Sequence, residues 1–340
     1  MSVTLATDLE DVVDRLRDEG PRLFGRRDVR LTPIQTTESE ASRVLKVGVS
    51  GVNGVEAVFV KVFKPRPGDR LYDVRARVLR DFDVTSRVHA SLSGFSHCGV
   101  ARPLACFPDQ LAIVTEEARG ATLLDLLERR ATWWRSQRSV TALGEVLEAV
   151  GVWLRAFQNV EARAECFSLD EMRKYIDVRL ERLLCTQPPL LDSQGRDAIL
   201  RYFDRTASSV DRGDLGQVLT HGDFAPSNVL ITAGRVIVID FAMVTPGGRF
   251  MDVARLYTQL EFLMAKPKFR PAVVSELQRR LLKGFDPSLD RDRPLFRLFL
   301  LQHLLCHMSN LARNPAPALA QLYNRHQLRL RQRWLRTFAA

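Results

Sequence analysis

The feature that most restricts the fold is a β island set inside helical sequence. Residues 217–244 read QVLTHGDFAPSNVLITAGRVIVIDFAMV. Two runs rich in β-branched and apolar residues, NVLIT and RVIVID, are joined by Ala233-Gly234, and a loop dense in polar groups precedes them. Either side of the island the apolar spacing is helical. LLDLLERR, ALGEVLEAVGVWLRAFQNV and DEMRKYIDVRLERLL come before it, with a Pro-rich break at Thr186 to Pro189, and helices resume after it to the end. The C-terminal part is therefore predicted to be mostly helical, with a small sheet embedded in it.

The N-terminal part reads differently. Leu9, Val12, Val13 and Leu16 predict a first helix over residues 8–19, ending at Gly20-Pro21. VRLTPIQT, SRVLKVGVS and VEAVFVKVF predict three antiparallel strands, the last two joined by the turn signal Gly51-Val52-Asn53-Gly54. A helix over 69–92 and two strands around Pro108-Asp109 complete a β-β-β-α-β-β lobe. A chain of 340 residues exceeds a single core. The expectation is an α+β, two-lobed chain: residues 1–117 as a small antiparallel sheet with one main helix, and 118–340 as a larger helical lobe that includes the island.

Composition narrows the class. Hydrophobic residues at 46% and charged residues at 26% exclude disorder and fibrous architectures. The five cysteines are scattered and lack CxxC spacing, so neither a disulfide framework nor a structural zinc site is indicated. The start of the chain turns acidic within ten residues and lacks a basic start followed by an apolar run, unlike a secretory signal, and the longest apolar run, LFLLQHLLCHM, is short and interrupted by histidines. A soluble, cytoplasmic protein is expected.

The island carries the chemistry. His221-Gly222-Asp223 is followed by Asn228 and then by Asp240-Phe241 at the end of an apolar strand. This spacing suits phosphoryl transfer, which needs charge neutralisation and positioning more than covalent help. Asn228 and Asp240 are candidate oxygen ligands for Mg²⁺. Asp223 is the candidate base that orients an attacking hydroxyl and takes its proton, with His221 beside it as the second candidate catalytic residue.

HGDFAPSNVLI followed by VIVIDF resembles the phosphotransferases of the protein-kinase-like fold that include aminoglycoside phosphotransferases and choline kinases. The resemblance spans roughly residues 30–310. It implies that Lys61, in VFVKVF, reaches the α- and β-phosphates of ATP or GTP, and that a helical carboxylate holds it. Asp81 matches that place where the family usually has glutamate, and Asp83 is the alternative. Backbone groups near Glu116 and Ala118 match the hinge that bonds the adenine edge. The loop between the first two strands has no glycine; hydroxyls of Ser39 and Ser42 stand in for glycine amides at the phosphates, or the loop contacts nucleotide only through its backbone. Asp252, in FMDVARL, matches an aspartate that braces the catalytic loop.

A Ser/Thr protein kinase would place lysine two residues after the base, where this chain has Ala225, and would carry an APE-type element where it has MVTPGGRFMDVARL. A non-catalytic nucleotide-binding module is disfavoured by the presence of Lys61, Asp223, Asn228 and Asp240 together, and a nucleic-acid binder does not explain the motif. The expected function is transfer of a γ-phosphoryl group to a hydroxyl of a small, sugar-containing acceptor, with inactivation of an aminoglycoside or macrolide antibiotic as the alternative. Two other features have structural readings. His303 and His307 sit in an apolar helix as packed residues rather than metal ligands, and Trp133-Trp134 reads as one buried and one half-exposed residue rather than a sugar platform.

Charge is the remaining oddity. Fifty basic against forty acidic residues give +10, yet residues 1–118 hold 17 of each. From Arg293 onward there are eight arginines and no acid. Arg325, Arg329, Arg333 and Arg336 fall in one helical sector, and Leu319, Tyr323, Leu330, Trp334 and Phe338 in another. The readings are a solvated face packed on the lobe by its apolar side, or a contact with an anionic substrate or membrane surface.

Overall fold

The computed structural model describes residues 9–25, 29–51, 55–66, 68–133, 136–161, 163–313 and 318–339. The turn signal at 52–54 and Trp134 lie outside them. The chain forms two compact units, Met1–Leu123 with Ser227–Val244, and Leu124–Pro226 with Thr245–Ala340. The island hairpin, expected from the sequence within the C-terminal lobe, is grouped with the N-terminal residues.

The first unit opens with α1 (Leu9–Phe24), which runs through Gly20-Pro21 instead of ending there. Pro21 forfeits one helical hydrogen bond, and Leu23 and Phe24 offset that by packing on the core beyond it. Strands β1 (Arg30–Glu38), β2 (Ser42–Ser50) and β3 (Ala57–Phe63) follow, then α2 (Leu71–Leu92), β4 (Cys98–Val100), β5 (Pro103–Phe107), β6 (Ala112–Glu116) and β7 (Ala121–Thr122). The main sheet is antiparallel in the order β1-β2-β3-β6-β5. Strand alternation sorts its two faces. Val58, Val60 and Val62 join Val12, Val13 and Leu16 of α1 in one core, whereas Phe63 joins Val74 and Val78 of α2 in another. Lys61 shares the α2 side with Phe63.

A second sheet of the same unit has the order β4-β10-β9-β7, where β9 is Val229–Thr232 and β10 is Arg235–Val238. Ala233 and Gly234 have φ of +42° and +82°, the doubly left-handed pair a two-residue hairpin needs. Sequence reading missed β4, a three-residue strand that pairs parallel with β10.

The second unit is mainly helical: α3 (Leu123–Arg130), α4 (Gln137–Gln158), α5 (Leu169–Leu184) and α6 (Ser193–Ala207) precede the short antiparallel pair of β8 (Gln217–Thr220) and β11 (Thr245–Gly248). Helices α7 (Met251–Met264), α8 (Pro271–Phe285), α9 (Pro294–Arg313) and α10 (Ala318–Ala339) complete it. Ser136, Ser168 and Asp192 cap α4, α5 and α6 by accepting from backbone amides three residues on. Where α4 crosses α8 the backbones touch: a β-carbon on Gly284 would lie 1.9 Å from the Glu148 carbonyl oxygen, and one on Gly151 would lie 2.4 Å from that of Leu281.

The arginine face of α10 is as expected, with Arg325, Arg329, Arg333 and Arg336 exposed. Its packed stripe is not. Leu328, Arg331, Leu335 and Phe338 are buried, whereas Tyr323 is 52% exposed. At 3.6 residues per turn Tyr323 sits about 140° round the helix from Leu328, off the stripe. His303 is buried, with Nε2 donating to the Met251 carbonyl at 2.8 Å, and the His307 ring stands edge-on to Phe262 at 4.4 Å. Both are packing residues. Among the described residues, no group of three or more His, Cys, Asp or Glu could hold a metal, and no helix is long and apolar enough to cross a membrane.

Candidate active site

In the first unit, Lys61 Nζ donates to Asp81 Oδ2 at 3.0 Å and to Asp240 Oδ1 at 2.7 Å. Helical spacing explains why Asp81 and not Asp83 takes this place. Val74, Val78, Asp81, Thr85 and Val88 form the buried stripe of α2, while Asp83 is exposed and pairs with Arg87. Asp81 also accepts from the Phe241 amide at 3.1 Å and from the Thr85 hydroxyl at 3.4 Å. Burial alone would depress the Lys61 ammonium, but the two carboxylates outweigh it and hold the group above its ordinary range. Burial pushes the Asp81 carboxyl up, against the pull of Lys61.

The island hairpin delivers the other groups. Asn228 precedes β9 and Asp240 follows β10, so both come to one end, where the Ile239 amide donates to the Asn228 carbonyl at 3.0 Å. Asp240 has φ of +71°, a conformation a non-glycine residue adopts at a cost of order 1 kcal/mol or more. Lys61, Asp81, Asn228 and Asp240 all line one cavity of about 460 Å³, with apolar walls that include Phe59 and Leu230. At its edge the Glu116 amide is committed to the Arg102 carbonyl and the Glu117 amide to that of Ala57. Ala118 lines the cavity just beyond them. Gly120 permits the close return of the chain, since a β-carbon there would lie 2.5 Å from the Ile231 carbonyl oxygen.

Of the two serines, Ser42 lines the cavity. Ser39 does not: its hydroxyl closes its own turn, donating to the Ser42 carbonyl at 3.0 Å and accepting from the Ser42 amide at 3.0 Å.

Two protein oxygen donors, Asn228 and Asp240, fit a hard divalent cation whose remaining ligands are phosphate oxygens and water, which is how Mg²⁺ is usually held beside nucleotides. One ammonium between two carboxylates also leaves this cluster one negative charge in excess, compatible with such an ion.

The second unit holds the remaining candidates. Asp252, in the first turn of α7, is fully buried and accepts from the His221 amide at 2.7 Å and the Gly222 amide at 3.0 Å, bracing their loop. Burial pushes its carboxyl up to about 6, against the restraint of those two amides. His221 is itself buried, and its Nδ1 accepts from the Asp223 amide at 3.3 Å. Phe224 stacks on Trp153 of α4 with centroids 5.8 Å apart, anchoring the far side of the loop.

Sequence reading missed Arg255, which donates from Nη2 to Asp223 Oδ1. The signal was present, because Arg255 lies three positions after Asp252 and so on the same helical face. Trp133 is 52% exposed and donates its indole N–H to the Pro267 carbonyl.

Comparison with solved structures shows one fold across this diversity of detail. A thermostable mutant of aminoglycoside phosphotransferase APH(4)-Ia, in complex with ADP and hygromycin B, is 16% identical over 95% of this chain and 97% of its own, at a TM-score of 0.57. An amicoumacin kinase in complex with AMP-PNP and Ca²⁺ is 15% identical over 96% and 94%, at 0.56. Choline kinase from Cryptosporidium parvum is 13% identical over 97% and 95%, at 0.54. No curated protein matches the sequence itself. The family model for the phosphotransferase enzyme family, however, matches residues 52–295, taking in Lys61, the whole island and α7: the chain belongs to that family.

Proposed function

We propose that the protein transfers the γ-phosphoryl group of ATP or GTP to a hydroxyl of a small, sugar-containing acceptor. The observation that carries this reading is the lining of one cavity in the first unit by Lys61, Asp81, Asn228 and Asp240, with apolar walls suited to a base and the 116–118 segment at its edge. In this reading the first unit is the nucleotide-binding one. Lys61 binds the α- and β-phosphates and is aimed by Asp81. Asn228 and Asp240 hold Mg²⁺, which when bound supplies charge neutralisation at the phosphates.

The second unit supplies the acceptor side. Asp223 orients the acceptor hydroxyl and takes its proton as the oxygen forms a bond to the γ-phosphorus. The bond from that phosphorus to the β,γ-bridging oxygen breaks, its electron pair leaves with the nucleoside diphosphate, and Asp223 returns the proton to solvent. His221 and Asp252 position this carboxylate rather than touching substrate.

A panel of sugars, sugar phosphates, amino alcohols, aminoglycosides and macrolides, read by nucleotide consumption, identifies the acceptor class. Asp223→Asn should abolish consumption with every acceptor while nucleotide still binds. Undiminished turnover in that variant rules the mechanism out.

A further inference from the structure

Between α7 and α9 lies a second cavity, of about 320 Å³, contained in the helical unit. Arg255, Thr258 and Phe262 line it from α7, and His307, Asn310 and Leu311 from α9. Among the described residues, no acidic side chain is in its lining. Three of these residues carry polar atoms buried without a hydrogen-bond partner: Arg255 Nε, Thr258 Oγ1 and His307 Nδ1. Such atoms are costly to leave unmet in the interior, and a cluster of them beside a cavity marks a place for a polar ligand.

The sign of that ligand follows from Arg255, which lines the cavity, and from Arg331, which packs behind Phe262. Arg331 is only 7% exposed, its Nε and Nη1 have no partner, and its guanidinium lies 4.1 Å from the centroid of the Phe262 ring. An aromatic face is a weak substitute for a carboxylate at a buried cation. Burial accordingly pulls Arg331 down to about 10. At Leu311 the cavity adjoins another, of about 530 Å³, lined by Arg325 and Arg329 of the arginine-rich face. Among the described residues the charged side chain that lines the cavity is Arg255, and Arg331 stands behind Phe262, outside the lining.

Arg255 connects this cavity to chemistry, since it lines the space and donates to Asp223. We propose that the cavity seats the phosphoryl acceptor and that the acceptor bears a phosphate ester in addition to the hydroxyl it presents to Asp223. This rests on the phosphotransferase reading and names its substrate class. Arg255 and Thr258 contact the phosphate, Arg331 favours it through charge, and the arginines beyond Leu311 draw it in. The reaction forms one new phosphate ester and leaves the resident one intact.

The test has two arms on the full chain. In the first, inorganic phosphate is titrated calorimetrically with AMP-PNP and Mg²⁺ saturating, so that the first cavity is filled. Wild type should bind phosphate, and Arg255→Gln, Thr258→Val and Arg331→Gln should each weaken it at least fivefold, with Arg331→Lys restoring most of the loss. Circular dichroism confirms folding, and the Thr258 variant carries the arm should either arginine variant fail to fold. Phosphate affinity unchanged by these substitutions overturns the proposal.

In the second arm, a hexose 6-phosphate should be phosphorylated with at least tenfold higher kcat/KM than the parent hexose, and Arg331→Gln should erase that preference by raising KM while kcat stays within twofold. Preference for the neutral hexose, or for a cationic amino sugar, overturns it. Should Asp223→Asn leave turnover unchanged, the phosphotransferase mechanism fails, while the phosphate titration still decides the cavity.

Discussion

The cluster around Lys61 and the cluster around Asp223 solve the same problem, holding charged groups in place, by opposite means. In the first, side chains hold side chains: one ammonium bridges two carboxylates contributed by residues 20 and 179 positions away along the chain. In the second, the backbone does much of the holding, with Asp252 gripping two amides and Arg255 donating to the Asp223 carboxylate. The difference teaches what each can lose. A side-chain triad fails by charge imbalance, whereas a backbone-braced loop fails by losing its shape.

Substitutions should separate the two. The largest effect is expected from Asp223→Asn, which should lower kcat by about 10³-fold, within the range for loss of a general base, and leave affinity for AMP-PNP within twofold. Lys61→Ala should do the reverse and weaken AMP-PNP in an equilibrium titration. Equal loss of affinity in both variants would break the comparison.

Next is Asp252→Ala, which strands two amides in the interior and should cost about 2–4 kcal/mol in urea unfolding. Asp252→Asn, able to accept from one amide but not both, should recover part of that.

Acid should distinguish the units through their buried groups. Burial holds His303 down to about 3 and His307 down to about 4. They stay neutral when folded and take up protons once unfolded, so their stabilisation is complete above about pH 6.5 and is lost as pH falls. Asp252 acts oppositely: raised to about 6, it takes up its proton earlier when folded, and acid relieves its penalty. Between about pH 6 and 4, two protons gained by the unfolded state oppose one gained by the folded state, a net loss of about 1.4 kcal/mol per pH unit. Trp133, Trp153 and Trp334 belong to the helical unit, so their fluorescence during urea unfolding reads it. His303→Gln should flatten the slope.

The smallest effect is expected from Arg333→Gln on the exposed face of α10, within about 0.5 kcal/mol of wild-type stability.

Much of this was legible in the sequence, for physical reasons that also explain the gaps. Alternation in VFVKVF put Lys61 opposite the valines because one sheet face must be apolar, and the helical stripe 74-78-81-85 singles out Asp81 from Asp83 once it is drawn. The island motif stood out because its polar residues sit at fixed positions around two short apolar strands. Strand β4 was hidden because CGV is too short to alternate, and its partner lies 138 positions away at Val236. The continuation of α1 through Pro21 was hidden because later side chains decide it. Arg255 was overlooked since an arginine on a helix resembles every solvated arginine until its carboxylate is placed. Ser39 misled because a hydroxyl in a turn has local work available to it.

The contact of α4 with α8 has a bearing on evolvability. Gly151 and Gly284 have no chemical duty, yet each abuts the backbone of the other helix, and two and six residues beyond Gly151 on α4 stand Trp153 and Phe157, the stack on which Phe224 rests beside Asp223. The helix crossing is therefore a datum from which the loop carrying the carboxylate is measured. One methyl group there would displace the reference instead of the part. Side chains lining the second cavity can be exchanged without touching this crossing, whereas an added methyl at either glycine meets the backbone of the facing helix.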